Sequence, residues 1–146
     1  DAYVKNDMIW IKKSFIRSLK IWAMSIVCGL VLLLISDSFY KFWIGDKSTL
    51  VVPFSVSLCT LIFISFFNFN NCVTYLLNGL NKIKIQIFTS IITTVFFFIL
   101  VVISRNKLTI EGVSLYMALC YALMGAVHFY QCKLLIEKKA KGIWNE

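Results

Sequence analysis

Proline and histidine each occur once in this chain, and there are only seven acidic side chains against fifteen lysines and arginines. Each scarcity excludes something. One histidine and five scattered cysteines, with no CxxC or His/Cys spacing, do not make a zinc site. Cys28, Cys59, Cys72, Cys120 and Cys132 are odd in number and sit inside or at the edges of apolar runs. They read as small buried hydrophobes, and no disulfide framework is expected.

The carboxylates Asp1, Asp7, Asp37, Asp46, Glu111, Glu137 and Glu146 all fall at run ends or in loops. No run carries paired carboxylates, a Ser/His/Asp set, a Cys/His pair or a phosphate-cradling glycine loop. The chain is therefore not expected to be an enzyme, nor to hold a metal or cofactor.

What remains is apolar. Residues of the apolar types make up 60% of the chain, thirteen of them phenylalanine, and the mean hydropathy is +0.82. They cluster in runs near the length that crosses a hydrocarbon core of about 30 Å. The expected fold is an all-α membrane protein with four transmembrane helices, spanning about 21–40, 53–79, 85–104 and 112–133. An amphipathic basic helix over 1–20, capped by Asn6 or Asp7, is expected to lie along the inner membrane surface or to extend the first span. A polar tail follows at 134–146.

The net charge of +8 does not point to nucleic acid, because the basic residues flank the apolar runs. They divide by side. Lys5, Lys12, Lys13, Arg17, Lys20, Lys82, Lys84, Lys133, Lys138, Lys139 and Lys141 give eleven on one side, against Lys41, Lys47, Arg105 and Lys107 on the other. The positive-inside rule then places both ends of the segment in the cytoplasm, beside anionic lipid.

The second run is unlike the others. Ser57, Thr60, Asn68, Asn71, Tyr75 and Asn78 fall within an arc of about 80° at 100° per residue. Phe66, Phe69, Val73, Leu76 and Leu77 lie off it. Unpaired amides are costly in hydrocarbon, so the stripe needs partner helices or a wet cavity. These six residues are the candidate lining of a substrate path. In the fourth run Ser114, Ala118, Ala122 and Ala126 recur every four residues, a candidate ridge for close helix packing. His128, near its inner end, reads as a packed or interfacial residue more readily than as a proton carrier. Gly29 and Ser25 mark a point of close approach in the first run.

The stretches DAYVKNDMIWIKKS, KFWIG, NNCVTYLLNGLNKIKIQ and KKAKGIWNE, taken in order, resemble bacterial polysaccharide-export flippases of the O-antigen (Wzx) type. These belong to the multidrug/oligosaccharidyl-lipid/polysaccharide transporter superfamily. The chain matches the last four helices, nine to twelve, of a MATE-like two-lobe transporter of twelve helices. It begins at Asp1 without a methionine and reads as the C-terminal part of something longer.

The resemblance implies a bacterial inner-membrane protein that moves an undecaprenyl-pyrophosphate-linked oligosaccharide between leaflets during O-antigen and lipopolysaccharide assembly. Its implied partners are that lipid-linked glycan, membrane lipids and other polysaccharide-assembly membrane proteins. No lysine or arginine lies mid-run, so cations facing the pyrophosphate would have to come from other helices. A cation-coupled drug exporter and a small stand-alone structural subunit are the alternatives.

Overall fold

The computed structural model describes residues 7–45 and 51–146. Asp1, Lys5, Asn6, Asp46 and Lys47, which figure in the charge and capping arguments, lie outside the described residues. Among the described residues there are five α-helices and a closing 3₁₀ turn: α1 Met8–Leu34, α2 Ser36–Ile44, α3 Phe54–Gly79, α4 Lys84–Ser104, α5 Ile110–Ile136 and the turn Gly142–Asn145. Four of the helices, α1, α3, α4 and α5, are long and apolar enough to cross a membrane. The protein is an all-α membrane protein.

The Asp7 carboxylate accepts a hydrogen bond from the Trp10 backbone N–H at 3.0 Å and starts α1. No proline or glycine interrupts the helix before Gly29, so it passes through residue 20 without a break and the basic stretch is its first half. Ile11 and Phe15 are buried on one face, while Lys12, Lys13, Arg17 and Lys20 are exposed. Over the described part of 1–20 the basic stretch therefore runs straight into the first span. The first span also ends earlier than the run suggests: the helix breaks at Ile35, and α2 continues to Gly45, which ends it with φ +90°.

Pro53 takes the N-cap position of α3 at φ −61°, one residue before the first helical turn. At the other end the Lys82 N–H donates to the Leu77 carbonyl and the Asn81 N–H to the Asn78 carbonyl. Asn81 takes the left-handed conformation that this kind of helix end requires. Thr109 caps α5, its hydroxyl accepting from the Gly112 N–H at 3.1 Å.

The central pair is α3 and α5, with α1 packed on α3 and α4 packed on α5. Ile11, Phe15, Val73, Leu77, Leu80, Cys132 and Leu135 form a buried apolar cluster. It lies where α1 and α4 begin and α3 and α5 end, the end also marked by Lys12, Lys82, Lys84 and Lys133. We call this the basic end. On α4, Ile91, Ile92, Val95, Phe98, Ile99, Val102 and Ile103 all point away from the other helices. A face of that kind suits hydrocarbon and not water.

Candidate functional site

Helix α1 packs beside the polar stripe of α3 and not over it. Gly29 meets Leu61, so closely that a β-carbon there would collide with Leu61 Cδ1. Nearer the basic end, the Trp22 indole N–H donates to the Ser65 carbonyl at 2.8 Å, and the Cys72 thiol lies 3.7 Å from the Ser18 carbonyl. At the opposite end the hydroxyls of Tyr40 and Ser57 are 3.0 Å apart, tying α2 to α3. Between these contacts lies an open groove of about 710 Å³.

Three stripe residues, Ser57, Thr60 and Asn68, line this groove, with Ser65 at its margin. Facing them are Met24, Cys28, Gly29 and Leu32 of α1, an almost wholly apolar wall. The size and the balance of many apolar groups to few polar ones are those of a ligand-binding cleft. The rest of the stripe is not in it. Asn71 is half-buried, Tyr75 is 73% exposed and Asn78 is exposed, on a side of α3 that α1 leaves uncovered.

The ridge of α5 is also divided. Ala118 is buried, Ser114 and Ala122 are half-buried, and Ala126 faces outward. Positions four apart advance 400° on a helix, so each step drifts 40° and the row leaves the interface. The closest approach to α3 is instead at Gly125, against Phe69 and the backbone of Asn70.

The pattern of the sequence did not bring out a second polar group, buried between α3, α4 and α5. His128 is 1% exposed. Its Nδ1 lies 2.9 Å from Asn70 Oδ1 and 3.4 Å from Thr74 Oγ1, and its Nε2 lies 2.8 Å from Thr89 Oγ1. Asn70 falls outside the stripe, on the same face as Val73 and Leu77. An amide on a face of buried valine and leucine is the one signal that marked it, since a buried amide needs a partner.

Among the described residues no three His, Cys, Asp or Glu side chains gather as a metal site, and the five cysteines are unpaired. Helices and grooves define a helical membrane protein with an amphipathic cleft and a separate buried polar node. No family model, curated protein or solved structure matches the chain.

Proposed function

We propose that this chain forms part of the translocation path of a flippase for lipid-linked oligosaccharides in the bacterial inner membrane, with both of its ends in the cytoplasm. The observation that carries the reading is the two-sided groove between α1 and α3. A lipid-linked glycan has a hydrocarbon chain and a hydroxyl-rich head, joined end to end. The apolar wall of α1 suits the first, while Ser57, Thr60 and Asn68 exchange hydrogen bonds with sugar hydroxyls or their water. The groove is open along its side, as the passage of a tethered lipid requires. The likeness of four sequence stretches to O-antigen flippases supplies the substrate class, and the pyrophosphate then needs cations from helices outside this segment.

Export of surface polysaccharide per folded transporter is the measurement that tests it. Asn68→Ala and Thr60→Leu are expected to lower export while leaving the membrane level near that of the parent. Asn71→Ala and Tyr75→Ala, beyond the groove, extend the test to the rest of the stripe, and Val95→Ala on the outer face of α4 serves as the control. If export per folded molecule is unchanged in Asn68→Ala and Thr60→Leu, the groove is packing only and the reading fails. Loss of drug efflux instead of glycan export would assign the groove to a drug exporter.

A further inference from the structure

The sole histidine of the sequence sits where three helices meet, and each of its ring nitrogens has an oxygen within hydrogen-bond distance. Thr89 Oγ1 lies 2.8 Å from Nε2, and also 2.9 Å from the Ile85 carbonyl oxygen and 3.1 Å from that of Gln86. A hydroxyl has one proton to donate and two lone pairs to accept with. When the ring is neutral, Nδ1–H donates to Asn70 Oδ1 and the Thr89 hydroxyl donates to Nε2. When the ring takes a proton, Nε2–H donates to Thr89 Oγ1, and the hydroxyl proton swings to the Ile85 carbonyl. Nδ1–H keeps Asn70 Oδ1 throughout, with Thr74 Oγ1 as a second acceptor. Both charge states can be fully hydrogen-bonded with the heavy atoms where they stand.

We propose that His128, with Asn70, Thr74 and Thr89, is a binding site for a single proton, delivered through water from the basic end. A second observation lies on the side toward that end. Gln131 is 0% exposed and one turn from His128 toward that end; its Nε2 donates to the Trp144 carbonyl at 3.2 Å, and its Oε1 has no partner. Gln86, one turn before Thr89 on α4, has a buried Nε2 that is likewise unpartnered. Because α4 and α5 run antiparallel, both steps lead the same way along the bundle. An orphaned acceptor and an orphaned donor on that side are groups that a buried water would satisfy. Beyond them, among the described residues, lies the 3₁₀ turn, held by the Tyr130–Trp144 ring contact and by Lys82 Nζ donating to the Asn145 carbonyl at 2.7 Å.

The described charged and titratable groups around the site are engaged elsewhere or exposed. The Cys132 and Cys120 thiols of α5 lie 3.7 and 3.6 Å from the Val73 and Thr93 carbonyls. On α3 the Cys72 thiol faces Ser18, and Tyr75 is exposed. Lys84 of α4 pairs with the Glu146 carboxylate. From α1, Phe15 packs on Phe129, and the basic residues of that helix are exposed. The site needs no glycan in the groove, and it stands whatever the groove carries.

Nuclear magnetic resonance of ring-¹⁵N-histidine in the full-length protein in lipid bilayers tests the proposal, with His128→Gln identifying the signal by difference. Between about pH 3 and about pH 8 the ring is expected to pass from doubly protonated to the neutral Nδ1–H tautomer. Thr89→Val removes the acceptor of the charged form and is expected to lower the midpoint by about one pH unit, a tenfold loss of proton affinity. Thr89→Ser should leave it in place, and Asn70→Asp should raise it. A ring that stays neutral throughout overturns the proposal. So does a neutral Nε2–H tautomer, which means that Asn70 presents its NH₂ to the ring. A midpoint that neither Thr89→Val nor Asn70→Asp moves also overturns it.

Discussion

Gly125 of α5 and Phe69 of α3 meet so closely that a β-carbon at Gly125 would stand 2.7 Å from Phe69 Cδ1 and 3.0 Å from Cε1. The phenyl ring is itself held between Trp22 and Phe129, with centroids 5.0 and 6.0 Å away. Three helices therefore meet at a position that only glycine fills without displacing the ring. Gly125→Leu is expected to cost about 1–3 kcal/mol through overpacking, and to lower the amount of folded protein. Phe69→Ala in the same chain should recover part of the loss. Ala118→Leu should behave like Gly125→Leu, whereas Ala126→Leu, on the outer face, should stay within about 0.5 kcal/mol of the parent. Thermal unfolding of the purified protein ranks the four; equal damage from Ala126→Leu would show that the faces of α5 are misassigned.

Gly29 and Leu61 make a different kind of contact. The atom that a β-carbon at Gly29 would strike is the end of a flexible side chain. Leu61 can turn aside, and both residues line the groove. Gly29→Ala is therefore expected to leave folding nearly unchanged while moving Leu61 and reshaping the cleft. Transport per folded molecule should fall in Gly29→Ala and recover when Leu61→Ala is added. Equal transport by the parent and Gly29→Ala would remove the groove from the path.

The proposed orientation is open to direct labelling. Impermeant maleimide applied to intact cells should modify Lys107→Cys, in the connection between α4 and α5. Lys139→Cys, in the tail, should react only after the membrane is opened. The reverse pattern would invert the topology drawn from the division of the basic residues.

At the surface of the tail, Lys139 Nζ donates to Glu137 Oε2 at 2.7 Å. That hydrogen bond, and then the charge behind it, hold the Glu137 carboxyl below the usual carboxylate range and the Lys139 ammonium above the usual lysine range. For Glu137 the stabilisation is present above the pKa of the unfolded carboxyl and is lost as pH falls through the depressed folded value. For Lys139 it is present below the unfolded pKa and is lost as pH rises through the raised one. Both groups are solvated, so the effect on stability is small. Lys139→Met should move the Glu137 titration upward, as read by carbon resonance of its carboxyl. An unmoved titration would mean that the pair does not persist in solution.

Four long helices and the basic character of one end were legible in the sequence, because they depend on quantities local to the chain. Run length sets whether a helix is long enough to cross hydrocarbon. Asp7 caps from three residues away, and Pro53 stands one residue before its helix. The 100° step also showed that Ser57, Thr60 and Asn68 share a side. It could not show what that side meets. Helix α1 packs along Leu61, Ser65 and Cys72, so one half of the stripe floors a groove and Tyr75 and Asn78 are left outside it. The polar node depended on tertiary packing entirely. Asn70 and His128 stand 58 positions apart, and no periodicity relates them. Each lies on the buried face of its own helix, Asn70 with Val73 and Leu77, and His128 with Cys132 and Leu135. Only the depth and register at which α3 and α5 pack bring the amide to the ring, because a hydrogen bond tolerates a few tenths of an ångström and helix periodicity specifies only an angle.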